Sequence, residues 1–377
     1  MLLLLGLAMA SALLVQYVRV PYTVVLVVVG LVLGTAGVRL GLDLDRDLIL
    51  HVFLPLLLFD AALHVDLELL RDSWVPIVLL AVPGVVLSTL AIALILNRAI
   101  GLAIGVAALF GALISATDPV AVLATFKRVH LPAKLAMVVE GESVLNDGTA
   151  LVLFTLLLPV ALQFVGVLAG GIAVGVATGL LGARAVQLLQ DHLAELALSM
   201  LIAYGSYLLA ERLAVSGVIA TVTAGLVFAT RGTRGLTEPA RELLTDVWEF
   251  GAFLANSLLF LLIGLRVSLR DFGGLGVGLA WAIGATVLSR VLVVYGFGVL
   301  LHWCRRPVLL RHVHVVFWSG LRGALTIALA LSLPPDLANR DLLLRLAAGV
   351  VLFTLLVQGA TVEPLLRAVQ QRQAWSG

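Results

Sequence analysis

Five carboxylates interrupt otherwise apolar stretches of the sequence: Asp60, Asp118, Glu140, Glu142 and Asp147. Two arginines, Arg290 and Arg322, do the same. A charge at membrane depth costs roughly 3 kcal/mol on insertion scales, so such residues face one another or a watery cavity and mark ion or proton paths. Around Asp118 the order is Thr117-Asp118-Pro119. Pro119 has no N–H and clashes with the carbonyl four residues back, at Ser115. A helix here therefore breaks and frees backbone oxygens, which within a bilayer need a partner. A small cation or a Ser or Thr hydroxyl would serve. Asp118 reads either as a ligand beside the break or as the cap of the following half-helix, and the two roles are compatible.

The run Glu140-Gly141-Glu142-Ser143-Val144-Leu145-Asn146-Asp147-Gly148 offers a second group. Residues four apart on a helix share a face. Ser143 and Asp147 fall on one face, a hydroxyl and a carboxylate, with Glu140 near its end. Glu142 and Asn146 fall on a neighbouring face. Arg322, at a glycine-rich break Ser319-Gly320-Leu321-Arg322-Gly323, is the natural partner expected for Glu142. Structural pairing alone leaves an imbalance, since five carboxylates face two arginines. The excess calls for protons or cations, and hard oxygen ligands suit sodium, lithium or potassium.

Other chemistries lack their motifs. The sequence has no GxxxxGK[ST], HExxH or GxSxG, so no ATPase, zinc peptidase or serine hydrolase is expected. No cofactor is expected beyond the transported ions. His51, His64, His312 and His314 are read mainly as interfacial or packing residues. Cys304 stands alone, which rules out an intrachain disulfide. The net charge of +2 gives no footprint for nucleic acid.

The elements that must hold these residues are membrane helices. Of 377 residues, 62% are hydrophobic and 12% charged, against about a quarter charged in soluble domains. Mean hydropathy is +1.14. Disorder is excluded, because it needs low hydrophobicity. Apolar windows predict thirteen spans, near 2–18, 21–38, 48–65, 74–97, 100–126, 133–158, 164–188, 192–213, 215–230, 243–265, 274–300, 311–333 and 343–366. The first twenty residues lack a basic start and are followed by further spans, so a cleaved signal is not expected. Trp74, Trp248, Trp281, Trp303 and Trp375 lie near span ends, as in an interfacial belt. Trp318 lies deeper and reads as packing. Gly171 to Gly182 reads as a close-packing stripe.

Spans 5 and 12 hold the two breaks. Interrupted helices in matching positions of two halves point to a transporter binding site. An offset of seven spans makes them run oppositely, so the repeats are inverted. One set of loops with the C-terminal tail holds fourteen of the 24 Lys and Arg, and the other loops hold eight. The C-terminus is therefore expected in the cytoplasm and the N-terminus outside.

Taken together, Thr117-Asp118-Pro119, Glu142-Ser143, Asn146-Asp147-Gly148 and Gly320-Leu321-Arg322-Gly323 resemble the monovalent cation:proton antiporters. The nearest branch holds the bacterial NhaP-type sodium/proton antiporters and the animal sodium/proton exchangers. Phe53 to Phe59 before Asp60, Asn256 to Gly264, and Ala324 to Pro334 extend the resemblance over about residues 20–365. It implies an all-α polytopic membrane protein of about thirteen transmembrane helices in two inverted six-helix repeats, with discontinuous crossing helices. It implies a homodimer in the bacterial inner membrane. The dimerisation part would be about 1–70 and 190–270, and the transport part about 74–160 and 274–366, with a short cytoplasmic tail at 371–377.

By the same resemblance, Asp147 is the carboxylate that takes the cation or the proton. Asp118, Ser143 and Thr117 complete the sodium site, Thr117 by its backbone. Glu142 and Arg322 form the structural ion pair, and Arg290 steadies Glu142 or Asn146. Asn146 is the neutral neighbour that separates this branch from the two-aspartate, electrogenic one. Asp60 stands where relatives carry the longer Glu, so its ion contact would need a water. The chain ends soon after its last span, and regulation by a large cytoplasmic tail is not expected.

The expected activity is exchange of Na+ or Li+ for H+, one for one and electroneutral, by alternating access. Burial favours the neutral form of a carboxylate, and a bound cation favours the ionised form. That competition couples the two fluxes if the empty charged site cannot cross. Potassium/proton exchange on the same scaffold is the nearest alternative. A cation channel or a non-transporting sensor is the alternative of another class. Monovalent cations, protons and membrane lipid are the expected partners.

Overall fold

The structure, a computed structural model, describes residues 2–15, 20–37, 47–65, 67–129, 131–157, 164–267, 272–303 and 310–374. Among the described residues the regular structure is entirely helical. Trp375, Cys304 and the 375–377 end of the expected tail lie outside them.

The chain forms two compact units. The first comprises Met1–Arg46, Leu67–Leu157 and Ser257–Gly377. The second comprises Asp47–Asp66 and Leu158–Asn256.

In the first unit, α1 (Leu2–Val15) and α2 (Tyr22–Thr35) precede α4 (Leu67–Ala81) and α5 (Pro83–Ile100). The last two make an apolar run over Glu68–Ile100, longer than the 74–97 window. Pro83 divides it. Then come α6 (Ile104–Ser115), α7 (Val120–Val129) and the 25-residue α8 (Ala133–Leu157). The later helices are α13 (Gly276–Trp303), α14 (Leu310–Trp318), α15 (Ala324–Leu331), α16 (Arg340–Phe353) and α17 (Ala360–Ala374). A π-helical segment at Thr354–Gly359 joins α16 to α17. The helices α5, α6 and α8 pack together, and α13 lies against α5, α14 and α16.

Both expected breaks are present. Residues 116–119 separate α6 from α7, and residues 319–323 separate α14 from α15. Gly111 lets α6 close on α5, because a Cβ there would stand 2.7 Å from the Thr89 carbonyl oxygen.

The second unit holds α3 (Leu54–Leu63), α9 (Phe164–Ala185), α10 (His192–Arg212) and α11 (Gly217–Val227). The helix α12 (Glu238–Arg266) begins in it and passes to the first unit after Asn256. The stripe on α9 packs as the sequence suggests. A Cβ on Gly171 would meet the Ser216 carbonyl oxygen at 2.8 Å, and one on Gly179 the Ala224 oxygen at 2.9 Å. Trp248 is not interfacial. It is 2% exposed, stacks on Phe59 at 4.7 Å between ring centres, and donates to Ser199 Oγ at 3.0 Å. A polar partner inside the core is what an indole N–H needs. Trp74, Trp281 and Trp303 are exposed, as an interfacial belt requires.

Among the described residues seven helices are long and apolar enough to cross a membrane, and the shorter Tyr22–Thr35 and Leu48–Leu63 are apolar too. The length of α8 also suffices, but it carries Glu140, Glu142 and Asp147. The first crossing element, Ile104–Phe126, is one of the seven in spite of its break, while the break at 319–323 divides the second into the short α14 and α15. The chain is thus an all-α, multi-pass membrane protein with discontinuous helices.

Candidate functional site

Everything at the centre of the first unit follows from the two breaks. They lie side by side, since the Asp118 N–H donates to the Leu321 carbonyl at 2.8 Å. Four half-helices therefore end near one point. A helix start is electropositive and a helix end electronegative, so the ends demand compensating charge.

Asp118 supplies it at two helix starts. One carboxylate oxygen accepts from the Val120 N–H at 3.1 Å, at the start of α7. The carboxylate also accepts from the backbone N–H of Ala324, the first residue of α15. It lies directly against Gly323, where a Cβ would overlap it. Glycine at that position is what allows the two breaks to meet. Asp118 is thus a cap, the second of the two readings made from the sequence.

The arginines serve the helix ends. Arg322 is 2% exposed, and its Nη1 donates to Ser115 O at 2.7 Å and Ala116 O at 3.0 Å, at the end of α6. Its backbone N–H donates to Thr354 Oγ1 at 3.1 Å. Arg290, on α13, donates from Nη2 to Val316 O at 2.9 Å, in the last turn of α14.

The expected Glu142–Arg322 pair does not form. Arg290 is the partner of Glu142, with one oxygen on Nη1 and the other 3.0 Å from Nη2. The reason lies in the backbone. Pro119 leaves the Ser115 and Ala116 carbonyls without intrahelical donors, and the nearby guanidinium of Arg322 is spent on them. Gly320 makes room for Arg290, since a Cβ there would stand 2.7 Å from Nε. Glu142 is 2% exposed, so this forked pair is fully buried.

The next turn of α8 closes on Thr117. The Asn146 Oδ1 accepts from the Thr117 N–H at 3.2 Å, and Nδ2 donates to Thr117 Oγ1 at 2.6 Å. Ser143 Oγ donates to Thr117 O at 2.6 Å. The carbonyls freed by the break are therefore taken by Arg322 and Ser143. Asn146 matches both a donor and an acceptor of Thr117, which an aspartate could not do.

Asp147 differs from its neighbours. Its Oδ1 is buried and has no hydrogen-bond partner. The like charge of Asp118 acts on it directly. A buried carboxylate in this position is costly unless something neutralises it.

Nine of the ten residues singled out from the sequence thus belong to this unit: Thr117, Asp118, Glu140, Glu142, Ser143, Asn146, Asp147, Arg290 and Arg322. Asp60 belongs to the second unit, on α3. There His64 Nδ1 lies 3.4 Å from Asp60 Oδ1 and 2.8 Å from its backbone oxygen. Sequence reasoning missed Thr354 and the Ser115 and Ala116 carbonyls as partners of Arg322. The Pro119 rule had marked the carbonyls, and nothing had marked Thr354.

Residues 2–368 match the family described as sodium/hydrogen exchanger, transmembrane. The Na+/H+ antiporter ApNhaP of Aphanothece halophytica is 39% identical over 96% of this chain and 72% of its own. The Na+/H+ antiporter NhaH of Halobacillus dabanensis is 35% identical over 97% of this chain and 96% of its own. The sodium proton antiporter MjNhaP1 from Methanocaldococcus jannaschii superposes with a TM-score of 0.78 at 20% identity, over 97% of both chains. The chain belongs to the sodium/hydrogen exchanger, transmembrane family.

Proposed function

We propose that the protein is a secondary transporter exchanging sodium, or lithium, for protons across the membrane, with cation and proton competing for Asp147. The observation that carries this reading is the buried, unpartnered Asp147 Oδ1 at the crossing of two broken helices. Every other ionisable group in the cluster has a partner, so Asp147 is the group left for cargo. Sodium would take oxygen from Asp147, with Asp118, Ser143 and the Thr117 carbonyl beside it. Asp118 can do so only with its lone pairs not committed to Val120 and Ala324.

Charge balance at the crossing supports one-for-one exchange. Of the five carboxylates counted in the sequence, the three whose contacts are described there, Asp118, Glu142 and Asp147, face Arg290 and Arg322, which leaves a single negative charge when all are ionised. One sodium ion or one proton cancels it. The neutral cluster is the form suited to crossing, and the charged empty one is not. That asymmetry couples the two fluxes and suits alternating access.

The same reading takes the protein as a homodimer in lipid, in a bacterial plasma membrane, with the C-terminus cytoplasmic. It assigns dimerisation to about 1–70 and 190–270 and transport to about 74–160 and 274–366.

Sealed liposomes holding the purified protein test the function. With an acid interior and a pH-sensitive dye, external sodium should drive proton efflux, and Asp147→Asn should abolish it. Efflux driven only by potassium would change the cargo. Cation flux without proton movement would make the protein a channel.

A further inference from the structure

A cavity of about 340 Å³ opens in the first unit, apart from the ion site, between α4, α8, α13 and α14. Its size is that of a small-molecule site, and its walls are almost wholly apolar. Its inner end approaches the Glu142–Arg290 pair. Val138 lies one turn before Glu142, Val294 one turn after Arg290, and the Val316 carbonyl accepts from Arg290.

The polar groups lie toward the other end. Lys134 and His312 line the cavity there, and Ser73 joins them from α4. Ser73 is fully buried, yet its hydroxyl has no hydrogen-bond partner. A buried hydroxyl is normally paired, so this one marks a missing ligand. Lys134 has one acidic neighbour, Asp72, at 3.8 Å, and both side chains are well exposed. Such a pair is weak and leaves the ammonium free to hold another anion. Trp74 and Trp303 are exposed beside this end, on α4 and α13. Exposed tryptophans of this kind sit at the level of lipid headgroups.

The geometry points to a binding site for one anionic phospholipid, with an acyl chain in the cavity and the phosphate at Lys134, His312 and Ser73. An apolar slot that opens at headgroup depth beside a cation and an unused hydroxyl fits that molecule end to end. Lys134 also belongs to the more basic set of loops, the face on which anionic lipid concentrates. The bound chain would fill the space behind Glu142 and Arg290 and brace the helices that hold them.

Native mass spectrometry of the purified full chain, with phosphatidylglycerol or phosphatidylcholine of equal chain length, tests this. The site predicts one phosphatidylglycerol retained per chain in preference to phosphatidylcholine. Lys134→Gln, at an exposed position, should weaken retention about tenfold, as expected for one charged contact. Val138→Trp, which fills the inner end, should abolish it. Glycerol phosphate alone should not bind. Equal retention of the two lipids, binding of glycerol phosphate as tight as that of the lipid, or unaltered retention in Lys134→Gln would overturn the proposal. The Lys134 result decides alone if Val138→Trp does not fold.

Discussion

Asp147 and Asn146 are adjacent in sequence and opposite in role. The Asn146 amide is consumed by Thr117, while Asp147 keeps a buried oxygen with no donor. Asn146→Asp should therefore cost more than a charge, because it removes the donor to Thr117 Oγ1. A fall in thermal stability together with voltage-sensitive transport is the expected outcome. Asp147→Asn should leave stability close to wild type, since it swaps an unpaired carboxylate for a neutral group of the same shape, and should remove exchange. The buried pair gives a contrasting result. Glu142→Gln leaves the Arg290 guanidinium uncompensated, at a cost of about 3–5 kcal/mol. Arg322→Lys should also destabilise, because one ammonium cannot span the Ser115 and Ala116 carbonyls as the guanidinium does. Denaturation of the purified variants compares these.

At the scale of elements, the site is a meeting of helix ends. Gly323→Ala places a methyl group on the Asp118 carboxylate, so the breaks must part. Exchange should be lost even though no charged group has changed, and a folded, inactive variant is the result to look for. Both breaks were legible in the sequence, from Pro119 at one and the glycines around Arg322 at the other. The stripe on α8 was legible too, because a four-residue spacing fixes a face. The partner of Glu142 was not. Two buried arginines qualified, and only the fold shows that the α6 carbonyls claim Arg322. The burial of Trp248 was legible but passed over: Ala240, Leu244 and Trp248 recur every four residues on one face, with Glu242, Asp246 and Glu249 on the others, while the interfacial reading used only its place near a span end.

Across the whole molecule, competition at one carboxylate makes a kinetic prediction with a definite sign. Protons and sodium exclude each other, so the apparent KM for sodium should rise as pH falls, while the maximal rate at saturating sodium changes less. One negative charge per empty cluster predicts transport insensitive to an imposed membrane voltage. The Lys and Arg bias of the loops predicts a C-terminus reached from the cytoplasm, which labelling of a cysteine placed in the 371–377 tail can check. Composition alone made the chain a membrane protein, and the broken helices made it a transporter candidate. The resemblance offered a two-part division, but the bounds of the two compact units were beyond reach of the sequence, because they depend on which helices touch. The central claim is that sodium and a proton take turns on Asp147. Its most direct test is proton release: add sodium chloride to purified protein in weak buffer and follow a pH dye. The account predicts release of one proton per sodium bound, and none from Asp147→Asn. Sodium binding without proton release, or release that survives Asp147→Asn, would contradict it.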